Sequence, residues 1–357
     1  MPAETPADTP AHDHGRIPSG SAAPSPDPAA NAVTAAAGPY AGGDVQHPVL
    51  AEVVRSGFVE GRHRGSLVLL APDGSVELAL GEVAVPVFPR SSNKPMQAAA
   101  VLRAGVPLAD ERLAMAAASH SGEGFHRALV AKVLAEYHLT PDDLQCPPDL
   151  PLDQSEREVY LAEGGRRERV AMNCSGKHAA MLAACVTAGW PTASYLDPDH
   201  PLQRLVGTVI EEAAGEPVTA VGTDGCGAPV MAITLTGLAR AFRGFVLAEP
   251  GSPERRVADA MRAHPEYVAG THRTDTWLMR AVPGVLAKVG AEAVQAVALP
   301  DGRALAFKVD DGALRTVGPV LARALELAGV HDDVLDRVGH EPLLGGGHEV
   351  GAVRAAF

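Results

Sequence analysis

Lysine is scarce in this chain. Only five occur among 357 residues, at Lys94, Lys132, Lys177, Lys288 and Lys308, against 25 arginines. Arginine therefore supplies the surface cations. A lysine retained against that bias is a candidate for work that needs an amine able to lose its proton, which guanidinium effectively cannot do. Aromatic residues are 4 %, too few for a base-stacking surface. Lys+Arg is 30 against Asp+Glu 43, a net charge of −13, so a phosphate backbone is repelled overall. Four cysteines, Cys146, Cys174, Cys185 and Cys226, are too few for a disulfide scaffold and point to reduced thiols. The longest apolar stretch, Ala179–Trp190, is too short to span a bilayer and carries Thr187. No basic start with an apolar segment marks a secretory leader, so a soluble cytoplasmic protein is expected. There is no internal repeat, no G-x-G-x-x-G after a strand and no phosphate-loop motif.

What is present is a core. Hydrophobic residues are 46 % and charged residues 20 %. Residues 1–45 stand apart, with 8 of the 30 prolines, 12 alanines and no lysine. Such a segment buries too little apolar surface to offset its ordering entropy, so a disordered tail is expected there and a folded domain over 46–357. Ser66–Ala71 and Val76–Leu80 around Pro72-Asp73-Gly74 read as a hairpin, as do Val294–Leu299 and Ala304–Val309 around Pro300-Asp301-Gly302. Between them, 96–104, 111–118, 126–137, 178–188, 201–214 and 253–264 carry helical patterns, and 317–328 follows the second hairpin. Hairpins bracketing a helical middle predict an α+β fold, an antiparallel sheet with helices packed on it.

Three short motifs follow one another in chain order. Ser91 and Lys94 are three apart, so one helical turn would bring a hydroxyl beside an amine able to act as its base. Pro95 disfavours helical angles at Lys94, and the pair reads equally as a helix cap with a surface lysine. Ser119-His120-Ser121 follows an apolar helix; capping, with a surface His120, is the simpler reading there. Lys288 ends an apolar approach, Val285-Leu286-Ala287, before Val289-Gly290, and reads as a cleft lysine or as an ordinary strand-edge one. In order, S-x-x-K, S-x-S and K-x-G form the pattern of penicillin-binding proteins and serine β-lactamases. Two further segments, Asn173-Cys174-Ser175-Gly176-Lys177-His178 and Thr223-Asp224-Gly225-Cys226-Gly227, place Cys174, His178, Cys226 and Asp224 at spacings that suit zinc, or else hold small buried thiols and turn glycines. Cys146 and Cys185 fit the buried-thiol reading better.

Taken together, these segments, with Asp197-Pro198-Asp199-His200-Pro201 and Leu286–Ala291, resemble the rhizobial-type (thermolabile, inducible class) L-asparaginases over about residues 47–355. The resemblance implies hydrolysis of L-asparagine to L-aspartate and ammonia, a serine β-lactamase-like and serine-dependent glutaminase-like fold, and a homodimer. It implies Ser91 as nucleophile, Lys94 as its base, and Ser119 with Lys288 as a second pair that relays protons and keeps Lys94 neutral. It implies Cys174, Lys177 and Cys226 as zinc ligands, and Arg90, His178 and Asp224 as substrate-pocket residues. Two alternatives stand beside it: a glutaminase or other amide hydrolase on the same fold, and a non-catalytic, zinc-dependent ligand-binding protein.

Overall fold

The computed structural model describes residues 47–357. The stretch expected to be a disordered tail, 1–45, lies outside them. The chain begins with β1 (Val49–Arg55), β2 (Phe58–Leu70), β3 (Val76–Leu80) and the short β4 (Pro86–Val87). A tight 3-10 turn, Arg90–Asn93, runs directly into α1 (Lys94–Arg103), followed by α2 (Asp110–Ala116), α3 (Gly124–Glu136), α4 (Gln154–Ala162), α5 (Ser175–Ala188) and α6 (Pro201–Ala214). Next come β5 (Ala220–Thr223), β6 (Pro229–Thr234), α7 (Leu235–Leu247), α8 (Pro253–Ala263), α9 (Pro265–Val268) and α10 (Thr274–Ala281). The last part holds β7 (Leu286–Gly290), β8 (Val294–Ala298), β9 (Ala304–Val309), α11 (Val317–Leu327), α12 (Val334–Gly339), β10 (Pro342–Gly345) and β11 (His348–Ala355).

The main sheet has eight strands in the order β10-β11-β1-β2-β9-β8-β7, with β3 also paired to β2. A smaller sheet runs β4-β6-β5. Every ladder is antiparallel, as expected for the α+β class. The long β2 joins the two ends of the main sheet: its first half pairs with β1, and Gly65–Leu70 pairs with β9. Both expected hairpins are present. The first starts earlier than its apolar pattern suggests, because Phe58–Arg64 alternates with exposed positions and is held by β1.

β8 is buried at all five positions, so both faces of the sheet centre are covered. Helix α7 lies against β2, β8 and β9, while α11 touches β1, β8 and β11. Burying apolar side chains such as Phe242, Phe245 and Phe307 stabilises this interface by about 2–3 kcal/mol each. Helix α5 differs from these amphipathic helices. It is buried continuously from Ser175 to Cys185, and its small residues let neighbouring elements approach closely. At Gly176 a Cβ would sit 2.4 Å from Met115 Cγ, so only glycine lets α5 dock on the end of α2. Among the described residues no helix is long and apolar enough to cross a membrane.

Candidate active site

The 3-10 turn carrying Ser91 is fastened to edge strand β7. Ser92 Oγ donates a buried 3.0 Å hydrogen bond to the carbonyl of Lys288. A Cβ on Gly290 would lie 2.6 Å from Pro89 O, which is why the residue two after Lys288 is glycine. The turn is entered through Arg90 at φ +51°, a left-handed conformation that costs a non-glycine residue about 1–3 kcal/mol. Arg90 Nε donates to Asp224 Oδ1 at 2.8 Å, and that pair holds the strained residue in place. Ser91 Oγ makes no hydrogen bond among the described residues and caps no helix.

Lys94 takes helical angles (φ −63°, ψ −32°) despite Pro95, contrary to the sequence expectation. Proline in the first turn of α1 removes an N–H that has no helical partner anyway, so the helix starts there without loss. The Lys94 side chain is 1 % exposed and points inward, so it is no surface lysine. Its amine donates to Ser119 Oγ at 2.8 Å, to Cys174 Sγ at 3.1 Å and to the Ala118 carbonyl. Lys94 thus bonds the second serine rather than Ser91, and it touches the thiol cluster directly.

Ser119-His120-Ser121 is pinned by backbone bonds from Ser119 N–H to Val268 O (2.9 Å) and from His120 N–H to Asn173 O (3.0 Å). His120, expected at the surface, is fully buried. Its Nε2 lies 2.9 Å from Ser175 Oγ and its ring stacks on His126. Burial first, then the neighbouring His126 and Lys94, pushes its pKa well down, so it is neutral. The expected cap at Ser121 is absent too: its hydroxyl donates to Ala269 O at 2.9 Å, and α3 starts with no side-chain cap bond.

Lys288 does sit on an edge strand, yet it is completely buried. Its amine donates to Val289 O at 2.7 Å. Burial lowers its pKa to about 7; Asp275 opposes that fall, and the Lys94 and Arg273 charges reinforce it. Asp275 is the site residue that sequence reasoning missed. Its carboxylate accepts from Val289 N–H (2.7 Å) and from Gln295 Nε2 (3.1 Å). In the sequence it looks like an ordinary acidic residue in a helix's first turn.

The thiol cluster adjoins this pair. Lys177 Nζ donates to Cys226 Sγ at 3.0 Å. The Cys174 thiol also bonds Cys226, and this bond, together with the Lys177 charge, drives the Cys226 pKa far down against burial. Burial works against the Lys177 ammonium, but Cys226 and Cys174 outweigh it and the net shift is upward. His178 Nδ1 bonds the Tyr195 hydroxyl at 2.7 Å, and its buried Nε2 has no hydrogen-bond partner. Burial lowers its pKa to about 4. Two soft sulfurs and a nitrogen that converge in a buried spot form a donor set suited to zinc. Among the described residues no three His, Cys, Asp or Glu side chains could hold a metal ion, so a site here would need Lys177 as its third donor. Asp224, admitted by spacing, is taken by Arg90 and by the N–H of Gly225. Cys146 and Cys185 are buried thiols whose pKa values burial raises to about 11.

The structure thus brings Ser119, Lys94, Cys174, Lys177, Cys226 and His178 into one bonded or touching cluster. Ser91 and Lys288 adjoin it through the turn fastened to β7, and Arg90 with Asp224 flanks Ser91.

Comparison with known proteins assigns the chain to the amidohydrolases. A family model described as L-asparaginase II matches residues 51–355, and the chain belongs to that family. No curated protein matches it. Among solved structures it is similar to a β-lactamase from Mycobacterium bovis, at 16% identity over 74% of this chain and 95% of that one, with a TM-score of 0.43. It is also similar to Mglu in its native form, at 17% identity over 80% of this chain and 69% of that one, with a TM-score of 0.40.

Proposed function

We propose that the chain hydrolyses the side-chain amide of L-asparagine through an acyl-enzyme on Ser91. The observation that carries this reading is the unbonded Ser91 hydroxyl, fastened beside two buried lysines in a member of the L-asparaginase II family. Because burial lowers the pKa of Lys288 to about 7, part of that amine is neutral at neutral pH and can accept the Ser91 proton. Lys94, one turn from Ser91, is the entry point, and Ser119 is the hydroxyl through which the proton moves on. Ser91 Oγ bonds to the amide carbon, and backbone N–H groups stabilise the oxyanion. The carbon–nitrogen bond breaks as the nitrogen takes a proton and leaves as ammonia. Water then attacks the ester, returning the proton to Ser91 and releasing aspartate.

The Arg90–Asp224 pair carries the two charges that a zwitterionic substrate would meet. The α-carboxylate would pair with Arg90 and the α-ammonium with Asp224, with each charge replacing the other's present partner. The substrate-pocket role read for His178 would have to act from beneath, since its ring is fully buried and neutral and bonds Tyr195. Cys174, Lys177 and Cys226 would hold zinc, which when bound keeps the thiols and the amine deprotonated. A Cys226→Ala chain should purify with little zinc; a full zinc complement would remove the metal assignment.

Ammonia release from L-asparagine, with L-glutamine alongside, tests the whole reading. Release from asparagine alone is expected. Equal release from both would broaden the substrate while keeping the chemistry. Binding of asparagine without release would overturn the enzymatic reading.

A further inference from the structure

A second cavity, of about 400 Å³, lies among α10, α12, β7 and the segment that leads into α11. Its volume falls in the range of small-molecule sites. Val289 lines it, and Lys288 is the neighbouring residue of the same strand. Successive strand residues face opposite sides, so Val289 puts this cavity on the face of β7 opposite the Lys288 side chain, with Asp275 bordering both.

Two of its cationic residues are unpaired. Arg273 and Arg337 both line it, and neither makes an ion pair or a side-chain hydrogen bond among the described residues. Arg337 instead lies over the Trp277 ring, 3.7 Å from the centroid, which fixes its direction. Glu341 lines the same cavity, also without an ion pair, and burial raises its pKa. Asp275 and His340 line it too, but Asp275 already accepts from Val289 N–H and Gln295 Nε2, and His340 lies 3.9 Å from Glu349. Val289, Val317, Val338 and Leu314 give the cavity an apolar side. Leu314 is 62 % exposed, although leucine is more often buried.

We propose that this cavity binds a free α-amino acid with an apolar side chain, its carboxylate between Arg273 and Arg337, its ammonium at Glu341 and its side chain on the valines and Leu314. A simple anion would answer the two guanidinium groups but give Glu341 no partner, since Arg315 and His340 lie near it without forming an ion pair. An amine without a carboxylate would leave both guanidinium groups unanswered. Only a zwitterion satisfies both, and the apolar wall favours a leucine-like or phenylalanine-like side chain over a polar one. The proposal does not depend on the reaction proposed for Ser91.

Titration calorimetry of the full chain with L-leucine and L-phenylalanine tests it. Saturable binding is expected, weakened about tenfold or more by Arg273→Gln, since losing a charged partner is worth at least about 1.4 kcal/mol. Leu314→Trp, at an exposed position where folding is not at risk, should narrow the mouth and weaken binding as well. Arg90→Gln, in the other cleft, should leave it unchanged. No binding of either amino acid would overturn the proposal. So would equal binding of L-leucinamide, or a loss in Arg90→Gln matching that in Arg273→Gln.

Discussion

Lys288 and Lys177 are both completely buried, yet their surroundings move them in opposite directions. Around Lys288 burial prevails: Asp275 is the main opposing charge, both its oxygens already accept other hydrogen bonds, and the pKa falls to about 7. Around Lys177, Cys226 and Cys174 outweigh burial and the pKa rises. A buried lysine is thus neither charged nor neutral by default; the groups beside it decide. Lys94 joins the two regions, bonding Ser119 on one side and Cys174 on the other. The same chain therefore holds one amine suited to accepting a proton and one suited to holding thiolate.

The largest effect expected is at the serine that adjoins the first region. Ser91→Ala should lower the rate of ammonia release about a thousandfold or more, because removing a nucleophile leaves only binding and oxyanion stabilisation. The fold should survive, since Ser91 Oγ has no hydrogen bond to lose. Near-normal turnover in this variant would undo the contrast between the two regions.

A matched pair of substitutions sharpens that contrast. Lys177→Met strands the Cys226 thiolate and should cost about 3 kcal/mol in denaturant unfolding at pH 7. Lys288→Met removes a buried amine whose charge is disfavoured and should stabilise by about 1 kcal/mol or more while abolishing activity. Destabilisation of similar size in both would mean that the two lysines are not opposites.

The smallest effect expected is a slope with pH. The unfolded Lys288 takes up a proton near its ordinary pKa of 10.5, whereas the folded one does so only near 7. Between those values the unfolded chain binds more protons, so this residue's share of stability rises as pH climbs from about 7 towards 10.5 and is flat below. Unfolding free energy measured across that window should rise more steeply in the parent than in Lys288→Met. In the same way, kcat/KM should rise through about pH 7 as the amine becomes neutral.

Local pattern carried much of the fold. Helices such as α6, with its apolar stripe and Pro201 start, and the hairpin β8–β9 are written in short windows. What eluded the sequence is non-local. β11 pairs with β1 across nearly the whole chain, as in Ala51↔Ala355, and no window holds both. Helix α7 is buried over most of its length, and its two glycines blur the helical period. At the site, the residue types and their order were legible, but their environments were not. His120 reads as a polar surface residue because nothing near it in sequence announces the burial supplied by α5 and by Val268. The role of Asp275 depends on Val289 and Gln295, neither of which is its neighbour in the chain.

The Ser92 bond to the Lys288 carbonyl, with Gly290 beneath it, has a consequence for recombination. Serine turn and lysine strand lie 196 residues apart and meet in a joint with no slack. A chimaera that takes its amino-terminal half from one relative and its carboxy-terminal half from another would draw the two sides of that joint from different parents. Such hybrids should sort sharply into working and dead classes according to whether the parents share the register of that contact, whatever their similarity elsewhere.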